Sequence, residues 1–180
     1  MSWLAQAHKN YVKEANEIFR NENFCEGAPK CAYAYSKIVR KTPGALKLKG
    51  DMAYKTAECY RQTENPKLAN EWYNKAILLK YQQVEPLVYF YNAEMLRTMG
   101  NFKEAIANYN EYKKLVPDDS RTDIGLQSCQ RYSDYKSNKT KHVVSNEQKL
   151  NDKGIEMAPM FGDKKNIQMV YSISKSEKGG

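Results

Sequence analysis

"NFKEAIANYNEYKKLVPDD", Asn101 to Asp119, decides the fold of this chain. Ala105, Tyr109 and Tyr112 recur at helical spacing. Pro117 ends the run, because a residue ahead of proline is pushed out of the helical region. Thirty-six positions earlier the chain reads "NPKLANEWYNKAILLKYQQ", Asn65 to Gln83. Asn65/Asn101, Lys67/Lys103, Ala69/Ala105, Tyr73/Tyr109 and Asn74/Asn110 match in register. Self-similarity at such a period marks stacked supersecondary units, none of which can bury its apolar face alone.

Working outward, the later unit runs from Pro86 to Asp119. It reads as a helix "LVYFYNAEMLRTM", a break at Gly100-Asn101, and a second helix "FKEAIANYNEYKKL". Glycine supplies the positive φ that a helix C-terminus often needs. This unit resembles a tetratricopeptide repeat (TPR). Ala93, Phe102, Ala105, Tyr109, Tyr112 and Pro117 stand at the pattern's small, aromatic and proline positions. Tyr112 replaces the usual alanine, so wider or partly solvated packing onto the next helix is expected.

The preceding unit spans about Gly50 to Gln83. Ala57 and Ala69 are its small positions, and Tyr60, Tyr73 and Ala76 its packing positions. Pro66 opens its second helix, where the first turn tolerates proline. Tyr81 takes the place of the terminal proline, and Val84-Glu85 account for the longer period. A weaker unit comes first. Tyr11, Ala15 and Ile18 belong to its first helix, Phe24 opens the second, and Cys31, Tyr35 and Ile38 face inward before Pro43. Cys25 to Pro29 reads as an insertion at that helix start. After Pro117-Asp118-Asp119-Ser120, a capping helix is expected from Arg121 to about Lys136, with Ile124, Leu126 and Cys129 inward. The fold class is therefore all-α: a solenoid of about three repeats plus a capping helix over residues 1–136. A linker follows over 137–150, then a short β segment over 151–180. In that segment Gly162 to Lys165 is a turn signal and Ile167 to Ile173 alternates like a strand. An isolated hairpin there would be marginal.

Composition limits the function. The chain is 41% hydrophobic and 28% charged, with a mean hydropathy of -0.82. These values suit a folded core under a large solvated surface, as repeat arrays have. No segment approaches the roughly 18 apolar residues of a spanning helix. Met1 to Asn10 does not read as a signal peptide, so the chain is either cytoplasmic or has lost an export signal. Gly179-Gly180 reads as a cut rather than a domain edge. The net charge of +8 raises nucleic acid as a partner, but basic and acidic residues are interspersed, and nucleic acid is not expected. Most of the fourteen tyrosines fit inter-helix packing with a wet hydroxyl. Cys25, Cys31, Cys59 and Cys129 read mainly as small buried hydrophobes. A Cys25–Cys31 bridge in an oxidising compartment is the alternative. Metal-ligand spacing, a phosphate-binding loop and nucleophile motifs are all missing, so no catalytic residue, metal or cofactor is expected.

The TPR resemblance implies that the first helix of each pair lines the concave face. The binding candidates there are Tyr54, Glu58, Arg61 and Gln62 in the middle unit, and Phe90, Glu94, Arg97 and Thr98 in the next. Asp51 and Leu87 lie on the same stripe. Glu58-x-x-Arg61 recurs as Glu94-x-x-Arg97. Such a pair is either a helix-surface ion pair worth a few tenths of a kcal/mol, or a polar ladder beside Tyr54 and Phe90. Glu58 and Glu94 stand where carboxylate-clamping TPRs carry asparagine, which argues against a clamp for a C-terminal carboxylate.

The order of segments carries a second resemblance. TPR-like pairs, a capping helix with "LQSCQ", a short "HVVSN" and then "LNDKGIEMAPMFGDKKNIQMVYSIS" are similar to the OmpA-family envelope proteins of Bacteroidetes. That family joins TPR, WD40-like propeller and peptidoglycan-binding regions, and includes the type IX secretion protein PorE. Ala158, Pro159, Phe161, Ile167, Met169 and Ser172 match its blade pattern, with Ala158 replacing a serine. The resemblance implies a lipoprotein on the periplasmic face of the outer membrane, with partners in the secretion machinery. Peptidoglycan and membrane would be reached only through a C-terminal domain and a lipid anchor, neither of which lies in these 180 residues.

Overall fold

The computed structural model describes residues 3–39, 41, 44–138, 155–161 and 169–174. Its contacts divide into two compact units, Met1–Asn138 and Lys139–Gly180. The first is built from helices α1 (Trp3–Arg20), α2 (Phe24–Lys37), α3 (Ala45–Gln62), α4 (Pro66–Leu78), α5 (Leu87–Thr98), α6 (Phe102–Leu115) and α7 (Arg121–Ser137). Each helix packs chiefly on the one before and the one after it. Such nearest-neighbour stacking defines a solenoid.

The three pairs share one turn. Its middle residue is left-handed in every case: Glu22 and Glu64 at φ 56° and Gly100 at φ 80°. The amide that follows reaches back to the last turn of the first helix. Asn23 N bonds Ile18 O at 3.3 Å, Asn65 N bonds Tyr60 O at 2.8 Å, and Asn101 N bonds Leu96 O at 2.8 Å. This is the bond of a Schellman motif. The asparagine side chain then starts the second helix, accepting from Glu26 N at 3.4 Å and from Leu68 N at 3.2 Å; Asn101 makes no such cap.

Three expectations about elements change. Cys25 to Pro29 is no insertion but the opening of α2, with Gly27 and Ala28 buried against their neighbours. Proline is tolerated inside α2 because the bond it forfeits would have gone to the carbonyl of Cys25, an exposed residue. Helix α3 starts at Ala45 rather than near Gly50, behind Gly44 at φ 72°. A 3₁₀ turn, Tyr81–Gln83, fills the extra length after α4. Tyr81 is buried there, and its hydroxyl donates to Asp51 Oδ1 at 3.0 Å.

The small positions Ala15, Ala57, Ala69, Ala93 and Ala105 are wholly buried, as their place between paired helices requires. Two glycines extend that logic between units. A Cβ on Gly50 would lie 2.6 Å from Tyr81 Cδ2, and one on Gly125 would lie 2.5 Å from Tyr109 Cζ. The tyrosines thus pack directly on helix backbone. Tyr112 is buried rather than partly solvated, because its hydroxyl finds Asp119 Oδ2 at 2.8 Å. On α7, Thr122, Gly125 and Cys129 face inward, whereas Ile124 is 64% exposed, contrary to expectation. Leu126 is half-buried against the last core cluster.

In the second unit, strand β1 (Ile155–Phe161) pairs antiparallel with β2 (Met169–Ser174). Ile155 faces Ser174, Met157 faces Ser172, and Phe161 faces Met169, with a register shift between Met157 and Met160. Pro159 falls in that shift, where its missing N–H costs no ladder bond. The observed strand begins at Met169; the expected strand start at Ile167, the turn at Gly162 to Lys165 and most of the 137–150 linker lie outside the described residues. All four cysteines are free thiols, so Cys25 and Cys31 are unbridged.

Candidate functional site

The recurring Glu-x-x-Arg pairs are more than surface ion pairs. Arg61 Nη2 donates to Glu58 Oε2 at 2.6 Å, and Arg97 Nη2 donates to Glu94 Oε2 at 2.7 Å. Each glutamate also accepts from a tyrosine of the paired helix: Tyr73 for Glu58 and Tyr109 for Glu94. Both tyrosines are wholly buried, and a buried phenol needs an acceptor. Burial first, and the facing carboxylate second, push both phenols well above their ordinary pKa.

A third set closes the series with different connectivity. Tyr112 donates to Asp119, and Arg121 Nε donates to Asp119 Oδ1 at 2.9 Å. The Arg121 hydrogen bonds hold the Asp119 carboxyl well below the usual carboxylate range. Three guanidiniums, three carboxylates and three phenols therefore form one ladder along the solenoid. Cation–π contacts tie its rungs together. The Arg61 guanidinium lies 4.1 Å from the Tyr91 ring centre, and Arg121 lies 4.8 Å from that of Phe90. Arginine stacks on aromatic faces while keeping its edge donors free for other partners.

These rungs line a groove of about 330 Å³. Its walls are Arg61 of α3; Phe90, Tyr91, Glu94, Met95 and Arg97 of α5; and Arg121, Ile124, Gly125 and Ser128 of α7. Every lining residue comes from α3, α5 or α7, so the groove follows the face shared by alternate helices. Charges in it are paired, and the Nε of Arg97 is buried with no acceptor among the described residues.

The sequence-derived candidates divide. Arg61, Phe90, Glu94 and Arg97 line the groove. Glu58 is only 7% exposed and is held by Tyr73 and Arg61, so it braces the array instead of facing a partner. Phe90 is also only 7% exposed, with the Arg121 guanidinium over its ring. Tyr54 packs between the Tyr73 and Tyr81 rings, 6.2 and 5.9 Å away. Gln62 and Thr98 are exposed beyond the groove, the Thr98 hydroxyl donating to Glu94 O at 2.9 Å. Asp51 pairs with Lys55 at 2.7 Å, and Leu87 joins the core around Phe90. Tyr91, Met95, Arg121, Ile124 and Ser128 also line the groove but were not among the binding candidates, Ile124 having been read as inward. The missing signal was that α7 acts as a further first helix, bringing its own Asp–Arg rung.

No family model matches the sequence, and no curated protein matches it. Solved structures do. The type III secretion chaperone SycD of Yersinia enterocolitica, in complex with a peptide of the translocator YopD, superposes with a TM-score of 0.57 at 12% identity, covering 71% of this chain and 95% of that one. The C-terminal TPR-containing domain of a Plasmodium falciparum protein described as FK506-binding gives 0.60 at 17% identity, over 75% and 94%. The Arabidopsis OM64 TPR domain gives 0.54 at 14% identity, over 72% and 98%. At these identities the likeness is one of fold alone. On that footing, the helical unit has the fold of tetratricopeptide-repeat domains.

Proposed function

We propose that the solenoid is a non-catalytic protein-interaction scaffold whose receptor surface is the groove along α3, α5 and α7. The observation that carries this reading is the ladder itself: arginines braced by carboxylates, with Arg61 stacked on Tyr91 and Arg121 on Phe90. A preformed groove loses little conformational freedom on binding, so the contacts made appear as affinity. The SycD neighbour is solved in complex with a translocator peptide, which supports a peptide as the kind of partner. Because each guanidinium is already paired, binding should depend only weakly on salt, unlike binding to nucleic acid.

The setting we propose is a cell-envelope complex at the periplasmic face of the outer membrane, in type IX secretion or gliding machinery. Support comes from the segment order, TPR pairs followed by a "MAPMF" and "MVYSIS" strand pair that is similar to a first propeller blade. The alternative is a cytoplasmic TPR adaptor for a peptide or an RNA–protein partner, which the basic balance of +8 would suit.

Affinity capture from separate envelope and cytoplasmic extracts, read by mass spectrometry, distinguishes them. The control bait carries Ile124→Asp and Ser128→Glu, two exposed groove positions outside the ladder. A secretion component retained by the native chain and lost by the control is the expected result. Equal capture by both baits would refute the groove, and capture confined to the cytoplasmic extract would favour the adaptor.

A further inference from the structure

Two buried thiols meet where the first helix pair stacks on the second. Cys31 of α2 and Cys59 of α3 are both wholly buried, and their side chains interact. A separate observation fixes the place of Cys59. A Cβ on Gly27 would lie 2.8 Å from Cys59 Sγ, so this sulfur occupies a notch that only glycine leaves open. Gly27 and Cys31 are four residues apart on one face of α2, and Cys59 sits beside both. Cys31 Sγ in turn approaches Ala15 O of α1 at 3.9 Å. The sulfurs thus lie in a chain running from α3 through α2 to α1. Cys25, the other cysteine of α2, is exposed and points elsewhere.

We propose that Cys31 and Cys59 are a cross-link site, closing to a disulfide that ties the first helix pair to the second when the chain meets a disulfide oxidant. The step is thiol–disulfide exchange. One thiolate attacks the oxidant's disulfide and expels a thiolate; the second then attacks the mixed disulfide and expels the other. Two cysteine thiols lose two protons and two electrons, and one disulfide becomes two thiols. Closing the bridge brings the two sulfurs to about 2.05 Å. Both thiols being buried, exchange proceeds through opening of the α2–α3 contact or during folding. The inference is independent of the groove.

Trypsin separates all four cysteines: residues 21–30 carry Cys25, 31–37 carry Cys31, 56–61 carry Cys59 and 122–131 carry Cys129. The full chain would be incubated with oxidised glutathione, both in native buffer and in urea near its unfolding midpoint followed by dilution. The second arm removes slow access as an explanation of failure. Free thiols are then blocked with N-ethylmaleimide and the digest is read without reduction. Peptide 31–37 joined to 56–61, two hydrogens lighter than their sum, is the expected product, with Tm several degrees higher and reverting on reduction. In the Cys31→Ala chain, Tm should ignore reductant. Blocked or glutathionylated Cys31 and Cys59 on separate peptides in both arms, or a dominant bridge to Cys25, would overturn the site. A cross-link with no effect on Tm would overturn its bracing role.

Discussion

At the scale of single residues, the phenol–carboxylate contacts carry the sharpest consequences. Tyr73→Phe takes one of two donors from a buried oxygen of Glu58, leaving Arg61 Nε at 3.3 Å, at a cost of about 1–3 kcal/mol in urea unfolding. Tyr109→Phe should cost less, because Glu94 is half-buried and can rehydrate. The same contacts set an alkaline limit. Both phenols titrate above their ordinary value in the folded chain, so their contribution is fully present below about pH 10 and is lost as pH rises beyond it. Removing Tyr73 should shallow that decline by up to about 1.4 kcal/mol per pH unit, read from urea midpoints between about pH 8 and 11.5. Gly50→Ala tests the close approach of Tyr81. Helix propensity alone favours alanine by about 1 kcal/mol. The clash with the ring and Cβ of Tyr81 should reverse the sign, giving a net loss of about 1–3 kcal/mol. The loss should shrink in a Tyr81→Leu background, where the ring is gone.

At the scale of elements, the shared turn shows how differing sequences form one structure. Gly100 was legible as a break because glycine announces a left-handed residue. Glu22 and Glu64 occupy the same conformation and carry no such signal, since the stacking on either side holds the turn closed. That difference predicts opposite outcomes at equivalent sites. Glu64→Gly should raise stability by about 0.5–1 kcal/mol, and Gly100→Glu should lower it by a similar amount, both by chemical denaturation. Failure of either sign would mean that neighbouring contacts, not φ, control the turn. The mistaken insertion at Cys25 to Pro29 has a related origin. A proline and a glycine within five residues look like punctuation, yet here one is tolerated at an exposed carbonyl and the other is a packing notch.

At the scale of the molecule, stability is distributed along a line. Each helix leans mainly on its two neighbours, and the three core clusters follow one another along the chain. End helices have one neighbour, so opening should begin there. Hydrogen exchange should show α3, α4 and α5 as the slowest amides, with α1 and α7 exchanging first. Uniform exchange across all seven helices would contradict the linear picture. Severing the α5–α7 tie with Arg121→Ala should accelerate exchange in α7 well before it affects α3.

The repeat and the alanines at its closest approaches were determined by the sequence alone, because periodic apolar spacing and small side chains act locally and recur in register. The Glu-x-x-Arg pairs were equally visible, and four of the eight proposed binding residues do line the groove. What only the tertiary structure decided is the use of those residues. Tyr73 and Tyr109 lie 15 positions from the glutamates they meet, so nothing in local spacing shows that Glu58 is held inside the array. Likewise Arg121 joins Phe90, and Cys31 meets Cys59, only after neighbouring helices stack. Burial turns an apparent surface pair into a brace, and that depends on what the next helix brings against it.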